Sequence, residues 1–343
     1  MSELPVAWVL DDLKKVKKKN VKVFSTFSCG GGSTMGYKLA GCEVVGCLEI
    51  DEKLMEIYKT NHNPKHAFRM GIQDFNKIDK KDLPPELYDL DLLDGSPPCS
   101  VFSMAGAREK KWGEEYFFRE GQEVQKLDDL FFHYIDTVKK LQPKVAIAEN
   151  VTGLLQGNAR GYVKEIFLGL QEAGYEVQLF KLNAAEMSVP QVRRRVFFIA
   201  RRKDLGLPKI ELKFNDKQRN YYDMVKGIND FGERKEPTAL VKDLWRRTAP
   251  GTDLGRAHPK GHFFGYKKIN PNIPIPCVLA AKHTNMLWDR PLYFSRIELV
   301  RAQTFPDDFD FCTQDVQYVT GMSVPPYMVK KIADQIIDFW NLG

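Results

Sequence analysis

The feature that most constrains this chain is an alternation of short apolar runs with amphipathic helical segments over its first two hundred residues. Parallel strands need a crossover of a dozen or more residues, so strand-like runs separated by helices indicate βαβ units. The predicted strands are 21–27, 43–50, 90–94, 145–149, 175–182 and 196–200, and the predicted helices are 33–40, 53–61, 127–141 and 162–173. The last two strands leave no room for a crossover helix and should form an antiparallel hairpin at one edge. The sequence therefore predicts an α/β fold with a doubly wound, mainly parallel sheet.

The alternation ends near residue 203. Residues 203–275 are rich in Gly, Pro, Lys and Arg and lack clear periodicity, which predicts a small irregular domain. Helical spacing then returns in SRIELVRAQ and in a final amphipathic helix, Pro325–Trp340, that begins at Pro-Pro. We therefore expect residues 1–202 and 276–343 to form one domain, with 203–275 inserted as the second.

The positive charge of the chain is concentrated in the same stretch. The whole chain has a formal net charge of +6, whereas residues 201–268 hold 17 Lys/Arg against 9 Asp/Glu, a net charge of +8. This concentration indicates a polyanionic partner such as nucleic acid, although a solvated basic surface would have the same composition. The choice between the two depends on the chemistry of the other segments.

A glycine-rich turn follows the first predicted strand. The segment FSCGGGSTMG, residues 27–36, leaves a strand and enters a helix, and its glycines let backbone N–H groups approach a ligand. The second strand ends in Glu49, where a carboxylate suits a ribose diol. A nucleoside-bearing cofactor is therefore expected, although a tight strand–helix junction needs similar residues. The GxGxxG pattern is absent, which argues against NAD. Asp74 is placed to accept from an adenine amino group, although an acid at such a position is, taken alone, more typical of a surface loop.

Three further segments carry reactive side chains at or near predicted strand ends. Cys99 follows Pro-Pro directly after a strand, at the edge where open α/β sheets bind ligands. A thiolate is a strong nucleophile once its pKa is lowered. Glu149 ends another strand within ENV, where a buried carboxylate needs a partner or a role. In QVRRR, the side chains of Gln191, Arg193 and Arg195 share one face of an extended segment.

Together these segments resemble the DNA (cytosine-5) methyltransferases of the bacterial and phage type. The resemblance runs from about Val21 to Ile337, with landmarks in the family's order: FSCGGGSTMGYKLAG, Glu49, the Asp74 segment, GSPPCS, ENV, QVRRR, SRIELVRAQTFPDDF and GMSVPPYMVKKIADQI. PPC, ENV and QxRxR in this order and spacing are highly specific as a set. The resemblance implies a Rossmann-like class I methyltransferase that uses S-adenosylmethionine, yields S-adenosylhomocysteine and needs no metal.

The resemblance also implies roles for individual residues. Cys99 matches the nucleophile, and Glu149 matches the acid that contacts cytosine N3 and N4. Arg193 and Arg195 match two arginines near the base and its phosphate, Arg193 would restrain Cys99 or Glu149, and Gln191 supports the arrangement. The positions expected to bind the cofactor are Phe27, Ser28, Gly30, Gly32, Glu49, Ile50, Asp74, Phe75, Pro97, Ser323 and Val324. The positions expected to contact DNA are Ser100, Arg246, Arg247, Arg256 and Lys260.

The family's chemistry explains these residue types. Cytosine C5 is a poor nucleophile, and a thiolate added at C6 makes the ring enamine-like, so that C5 can attack a sulfonium methyl. A protonated Glu149 at N3 would stabilise the developing charge. The cytosine must first flip out, because these contacts are impossible inside a stacked duplex. The long polar segment 100–126, with hinge glycines at Gly106, Gly113 and Gly121, corresponds to a loop that closes over DNA.

Three positions depart from the family's usual pattern. Cys29 stands where Gly is usual, and its β-carbon makes a positive φ costly. Ser100 replaces the usual Gln after the nucleophile, and Met322 replaces the usual Asn before Ser-Val-Pro-Pro. Because Cys99, Glu149 and the arginines are all present, we expect an active enzyme.

Three other functions stay open on the sequence. One is a cytosine-5 methyltransferase for RNA, but the stretch Pro291–Ser295 lacks the Cys-Phe-Thr segment of the branch that acts on tRNA. Another is a non-catalytic DNA-binding relative, which predicts loss of Cys99, Glu149 or Arg193. The third is an NAD-dependent enzyme on a similar sheet, which explains neither the glycine pattern nor Pro-Pro-Cys.

Composition sets the remaining expectations. The chain is 43% hydrophobic and 28% charged, an ordinary globular balance. It has no apolar run of 18 residues and no secretory signal pattern, so a cytoplasmic protein without a membrane partner is expected. Its six cysteines form no CxxC pair, which indicates reduced thiols without metal. We expect a monomer that acts on a short double-stranded DNA site, and such an enzyme can be paired with a cognate restriction endonuclease.

Overall fold

The computed structural model of the protein divides into two compact units. The sheet unit comprises Val16–Leu182, Arg194–Leu212 and Lys330–Gly343, and the insert unit comprises Met1–Lys15, Asn183–Arg193 and Lys213–Val329. The residues that the structure describes are 4–98, 115–116, 125–126, 129–156, 159–263, 265–280 and 283–343.

Short strands and helices alternate along the described chain. The strands are β1 (Lys22–Thr26), β2 (Glu43–Leu48), β3 (His66–Phe68), β4 (Leu92–Gly95), β5 (Glu115–Tyr116), β6 (Gln125–Lys126), β7 (Val145–Val151), β8 (Tyr175–Asn183), β9 (Gln191–Val192), β10 (Arg194–Arg202), β11 (Thr252–Asp253), β12 (Lys267–Lys268), β13 (Ile275–Pro276) and β14 (Asn285–Met286). The α-helices are α1 (Gly32–Leu39), α2 (Glu52–His62), α3 (Ile72–Lys77), α4 (Leu130–Leu141), α5 (Ala159–Glu172), α6 (Tyr221–Met224), α7 (Ala239–Arg247), α8 (Arg296–Ala302), α9 (Val316–Met322) and α10 (Pro326–Trp340). Short 3₁₀ helices lie at Leu10–Lys15, Lys80–Asp82, Pro85–Tyr88, Thr152–Leu155, Ala184–Glu186, Lys203–Leu205 and Leu254–Ala257.

A seven-stranded sheet organises the sheet unit, in the order β3-β2-β1-β4-β7-β10-β8. β1 pairs in parallel with β2 and β4, and β4 pairs in parallel with β7. β10 runs antiparallel to β7 and lies between it and the edge strand β8. The strand order reverses at β1 and β4, and open α/β sheets bind ligands at the carboxyl ends of strands on either side of such a reversal. The predicted doubly wound, mainly parallel sheet is confirmed.

The main hydrophobic core of the sheet unit lies between strand side chains and three helices. Its strand members include Phe24, Leu93, Ala146 and Phe198, and its helical members include Phe75, Phe131, Ile135 and Ile166 from α3, α4 and α5. All eight are nearly inaccessible to solvent. Burial of apolar surface is the dominant favourable term in folding, so this core fixes the strand ends that carry the candidate site.

Local signals fix where the helices begin and end. Asp51 caps α2 by accepting from the backbone N–H groups of Lys53 and Leu54, and Asn63 ends that helix in the left-handed conformation. Thr238 caps α7 by accepting from the N–H of Val241. α7 lies within the stretch that was predicted to be irregular. The Thr238 cap and the helical spacing of Val241, Leu244 and Trp245 are the signals that could have predicted it.

The insert unit holds small sheets and two hydrophobic clusters. β12 pairs with β11 and β14, and β13 pairs in parallel with β9. One cluster includes Tyr221, Ile269, Ile275, Leu299 and Ala302. It joins residues from both sides of position 275. The compact units have other bounds than the predicted domains: Met1–Lys15, Asn183–Arg193 and 276–329 cluster with the insert, and 203–212 cluster with the sheet unit.

All six predicted strands and the long final helix are present, within a few residues of the expected bounds. Several shorter elements were not predicted. In the sheet unit these include β3, a three-residue edge strand, and α3, which follows it. Both are too short for a periodic pattern. Across the described residues, every helix is too short or too polar to span a lipid bilayer.

Candidate active site

The glycine-rich turn between β1 and α1 has an unusual backbone. Phe27, Cys29 and Gly31 have φ values of +51°, +48° and +89°. The positive φ expected to be costly at Cys29 is therefore present. A β-carbon on Gly31 would lie 2.0 Å from Nε2 of His62, so this position also requires glycine for space.

Glu49 follows β2, and the turn holds its carboxylate. The N–H of Cys29 donates to Oε2 at 2.8 Å, and the N–H of Asp51 donates to Oε1 at 3.0 Å. Burial raises the pKa of Glu49 to about 7, against these backbone hydrogen bonds and one from Ile50, which lower it. Each oxygen keeps a lone pair with which to accept from a ligand. A carboxylate fixed in this way fits the ribose hydroxyls of a nucleoside cofactor.

The other expected cofactor positions of the sheet unit are placed as follows. Ser28 donates through its N–H to the Leu48 carbonyl, and Gly32 is the first residue of α1. Asp74 lies in the first turn of α3, more than half exposed, and pairs with Lys77 at 2.8 Å. Phe75 is fully buried and stacks on Phe24, with ring centroids 5.6 Å apart. Its side chain therefore belongs to the core.

Ser323 and Val324 belong to the insert unit and are both buried. Ser323 ends α9, and its hydroxyl donates to the Val319 carbonyl at 2.8 Å. Its own carbonyl accepts from Nε2 of Gln303 at 2.5 Å. Met322, beside it, is 38% exposed.

The turn that leads to the predicted nucleophile is fixed up to Pro98. Cys99, Ser100 and most of the predicted closing loop lie outside the described residues. The side-chain amide of Asn150 donates to the Pro97 carbonyl at 3.2 Å, and its oxygen accepts from the N–H of Val151 at 2.8 Å. Asn150 is buried and ties the end of β7 to the turn after β4.

Glu149 forms a close ion pair at the carboxyl end of β7. Its Oε1 lies 2.9 Å from Nε of Arg195, and both side chains are mostly buried. The antiparallel register places Phe197 opposite Glu149, so Arg195 reaches the carboxylate diagonally. A guanidinium beside the carboxylate holds it in place at the strand end.

Arg193 is buried, and its guanidinium contacts the backbone of the insert unit. Its guanidinium donates to the Val278 carbonyl at 3.3 Å, the Gly321 carbonyl at 3.1 Å and Sγ of Cys277 at 3.4 Å. Of the two groups that Arg193 was predicted to restrain, Cys99 lies outside the described residues, and Glu149 forms its ion pair with Arg195. Strand pairing is interrupted at Arg193, because β9 ends before it and β10 begins after it.

Gln191 is fully buried and joins three backbone segments. Its amide nitrogen donates to the Ala302 carbonyl and to Oε1 of Gln303, both at 2.6 Å, and its oxygen accepts from the N–H of Val278 at 3.1 Å. Gln191 and Arg193 thus hold the backbone around Val278 and 321–323 within the insert unit. The supporting role implied for Gln191 agrees with these contacts.

The cations between residues 246 and 268 fall into two groups, of which the first contains the four predicted to contact DNA. Arg246, Arg247, Arg256 and Lys260 are exposed, and Arg247 pairs with Asp243. Lys267 pairs with Asp253 at 2.7 Å. Lys268 is buried, with Nζ 3.7 Å from the centre of the Trp245 ring. The aromatic side chains of Trp245, Phe263 and Tyr266 pack into the second hydrophobic cluster of the insert unit, and Phe264 lies outside the described residues.

The sequence analysis assigned no role to Asn150, Gln303 or Asp94. ENV and SRIELVRAQ contain the first two, so a polar amide beside a motif residue was the available signal. For Asp94 the signal was an acid at the end of an apolar strand, LDLLD. The described residues hold no group of three or more His, Cys, Asp or Glu side chains that could bind a metal ion.

Known proteins resemble this chain over most of its length. The family model described as C-5 cytosine-specific DNA methylase matches residues 21–338. The type II methyltransferase M.NgoPII of Neisseria gonorrhoeae is 35% identical over 351 residues, covering 92% of this chain and 95% of the relative. M.NgoFVII of the same species is 29% identical over 344 residues, covering 93% and 87%.

Solved structures share the fold. A prophage-encoded E. coli protein described as a DNA modification methyltransferase superposes with a TM-score of 0.71 at 19% identity, covering 94% of this chain and 100% of that chain. A mutant of Spodoptera frugiperda DNMT2 gives a TM-score of 0.64 at 16% identity, covering 93% and 100%. The family match spans nearly the whole chain, and the relative at 35% identity aligns over more than nine-tenths of both sequences. This chain therefore belongs to the C-5 cytosine-specific DNA methylase family.

Proposed function

We propose that this protein transfers a methyl group from S-adenosylmethionine to C5 of a flipped-out cytosine in a short double-stranded DNA sequence. The observation that carries the proposal is the pairing of Glu149 with Arg195 at the end of β7, 2.9 Å apart. The next residue, Asn150, holds the turn that leads to Cys99. An acid and a nucleophile are thereby attached to neighbouring strand ends, where open α/β sheets carry out their chemistry.

The proposed roles follow from the chemistry of the groups. The Cys99 thiolate adds to C6 of cytosine, while Glu149 donates a hydrogen bond and a proton at N3, so the negative charge that develops on the ring is neutralised. Arg195 orients Glu149 and offers its remaining N–H groups to the base or its phosphate. After C5 has gained the methyl group, a base removes the C5 proton, the C6–S bond breaks and the thiolate is restored. The N3 proton returns to the Glu149 carboxylate, which regenerates the acid.

The cofactor side of the proposal rests on Glu49 and the turn that holds it. S-adenosylmethionine, when bound, supplies an electrophilic sulfonium methyl group. Glu49 has a fixed carboxylate at the end of β2, where it accepts from the ribose hydroxyls. In the insert unit, the buried Ser323 and Val324 offer the backbone contacts that the family resemblance implies.

The DNA side of the proposal rests on the exposed cations of the insert unit. Among the cations predicted to meet DNA, Arg246, Arg256 and Lys260 are exposed and have no side-chain ion pair among the described residues. Arginines read guanine edges in the major groove, whereas lysines mostly bind phosphates. The insert unit is therefore proposed to recognise the target sequence.

Sequencing of host DNA after expression tests the proposal. Bisulfite conversion should reveal 5-methylcytosine in one short sequence context, and that methylation should be absent with Cys99→Ala. Cys312→Ala is the matched control and should leave methylation intact. Methylation found in tRNA but not in DNA would replace the proposed substrate with RNA, and no methylation of either would indicate a non-catalytic relative.

A trapping experiment tests the covalent step separately. DNA that contains 5-fluorocytosine cannot lose a C5 proton, so wild-type protein with S-adenosylmethionine should remain bound covalently. Cys99→Ala should bind the same DNA without a covalent product. A covalent complex with Cys99→Ala would contradict the assigned nucleophile.

A further inference from the structure

Asp94 is a buried carboxylate that the proposed chemistry does not use. It lies near the end of β4 and is 5% exposed. Its Oδ2 accepts hydrogen bonds from the hydroxyls of Ser25 at 2.8 Å and Ser33 at 2.7 Å, and its Oδ1 accepts from the hydroxyl of Tyr37 at 3.1 Å. Three hydroxyl donors aimed at one carboxylate stabilise its ionised form. The site is therefore built to hold a negative charge.

No basic side chain compensates this charge within the described part of the chain. The titratable groups that face Asp94 are Tyr37 on α1, Tyr58 on α2, Tyr134 on α4 and Glu149 on β7. These groups are neutral or acidic. Buried charges in proteins are normally paired, because an isolated charge in a poorly solvated site is costly. A bound cation would supply the missing counter-charge.

The position of Asp94 indicates which cation that would be. Two of its donors, Ser33 and Tyr37, belong to α1, whose first turn follows the glycine-rich turn beside Glu49. Asp94 itself directly precedes the turn that leads to Cys99. It thus connects the two strand ends, β1 and β4, at which the sheet order reverses, and ligands of such sheets bind at that reversal.

We infer that Asp94 is a specificity residue whose charge favours the cationic sulfonium of S-adenosylmethionine over the neutral thioether of S-adenosylhomocysteine. The inference rests on the proposed function, because it takes that cofactor as the ligand. The two ligands share the nucleoside and the amino-acid group and differ in the methyl group and in the charge at sulfur. Methyl transfer removes that charge, so the product would lose the attraction to Asp94 and leave more readily.

Calorimetric titration of both ligands tests the inference without relying on activity. In Asp94→Asn, which keeps shape but removes the charge, the preference for S-adenosylmethionine over S-adenosylhomocysteine should fall roughly tenfold, as expected for partly screened charges in a protein interior. Asp91→Asn is the matched control: Asp91 is also buried, precedes β4 and pairs with Lys144 at 2.7 Å. This control should leave the preference unchanged.

Tyr37→Phe separates charge from structure. It removes one hydrogen bond, and at a pH well above the pKa of Asp94 the carboxylate keeps its charge, so both ligands should weaken to a similar extent. Equal weakening of both ligands by Asp94→Asn would overturn the inference and leave Asp94 a purely structural residue. Wild-type protein that binds neither ligand would overturn the proposed cofactor as well, which distinguishes the two failures.

A pH series on the wild-type protein gives a second measurement that needs no variant. Burial raises the pKa of Asp94 to about 6 against the three hydroxyl hydrogen bonds. The preference for S-adenosylmethionine should therefore fall as the pH is lowered through about 6. The same series in Glu149→Gln controls for the neighbouring carboxyl group. A preference that is constant with pH in both proteins would contradict the inference.

Discussion

At the scale of single residues, Cys29 has a backbone conformation with a clear energetic cost. It is a non-glycine residue with φ at +48°, in a turn where the family usually has glycine. A left-handed backbone costs an L-residue about 1–2 kcal/mol. Replacement by glycine would remove this cost, but the greater freedom of glycine in the unfolded chain would offset part of the gain. The turn that holds Glu49 therefore contains a strained backbone at Cys29.

Replacement of Cys29 by glycine should stabilise the protein. We expect the free energy of unfolding to rise by about 0.5–1 kcal/mol, measured by urea denaturation without ligand. Ser28→Gly is the control, because Ser28 has no positive φ and should lose stability on the same substitution. A Cys29→Gly protein less stable than wild type would show that contacts of the thiol outweigh the backbone strain.

The raised pKa of Glu49 predicts how the stability of the protein depends on pH. Its pKa is raised by burial from 4.5 to about 7, so the folded protein binds this proton more tightly than the unfolded chain does. The stabilisation from this group is complete below pH 4.5 and is lost as the pH rises through about 7. Asp94 acts in the same direction over a lower range, because burial raises its pKa from 3.8 to about 6.

Glu49→Gln imitates the protonated form and should remove this dependence. Relative to wild type, its free energy of unfolding should increase by ~1–3 kcal/mol between acidic and mildly alkaline pH. Chemical denaturation at a series of pH values measures the difference, in which the contribution of Asp94 cancels. A difference that stays constant across the series would mean that Glu49 titrates normally in the folded protein.

Glu149 and its partner predict a kinetic effect. Glu149→Gln keeps the size of the side chain but cannot supply a proton to N3, so single-turnover methylation should slow by about 10²–10⁴-fold. Arg195→Ala should also slow it, because the carboxylate loses the group that orients it. Arg194→Ala, at an exposed neighbouring position, is the control. A rate within about threefold of wild type for Glu149→Gln would exclude the assigned proton donor.

At the scale of elements, α7 and the 3₁₀ helix that follows it present the cations proposed to meet DNA. Arg246 and Arg247 lie in the last turn of α7, and Arg256 lies in the 3₁₀ helix. Trp245 lies in the core beneath them. In the proposed complex with DNA, base reading at this surface would fall to the exposed cations, and the buried aromatic side chains would position them.

An alanine scan should separate base contacts from phosphate contacts. A base contact at Arg246 or Arg256 should cost about 1–3 kcal/mol on cognate DNA and much less on random DNA. Arg247, already paired with Asp243, should have the smaller effect. Lys268→Met is the control for a structural cation and should lower stability before it lowers specificity. Equal losses on both DNAs for all three arginines would make them electrostatic anchors only.

The elements also show what sequence reasoning can and cannot reach. Strand ends at Glu49, Glu149 and Pro98 follow from local apolar patterns, so the site they carry could be predicted. The pairing of Glu149 with Arg195 could not be predicted, because it depends on the register of β10 against β7. Register is set by long-range packing, which local periodicity does not contain.

At the scale of the whole molecule, the concentrated charge predicts a strong salt dependence. Residues 201–268 carry a net charge of +8 within a chain of +6. DNA affinity should fall steeply between low and physiological salt, and each lysine that binds a phosphate should lower the slope by about one unit when replaced by alanine. Cofactor binding measured in the same buffers is the control and should change little. A shallow slope for DNA would place the main contacts on uncharged groups.

The division into units was the least predictable feature at this scale. Composition marks where the basic stretch begins, but 276–329 resemble ordinary helical sequence and gave no sign that they cluster with the insert. Tyr221 and Ile269 pack with Leu299 and Ala302. Contacts between residues so far apart along the chain leave no local trace in composition or periodicity.

The pairing of β13 with β9 has a consequence for engineering and for the exchange of specificity between relatives. Ile275 in β13 pairs with Gln191 in β9. The main segment of the insert unit, 213–329, is thus paired with the separate short segment 183–193. A cassette that transplants only 213–329 would place β13 beside a foreign strand in the recipient. It would also separate Gln191, which stays behind, from its amide and carbonyl partners. Modular swaps of target specificity on this scaffold should therefore carry both segments, and recombination that separates them should yield misassembled hybrids.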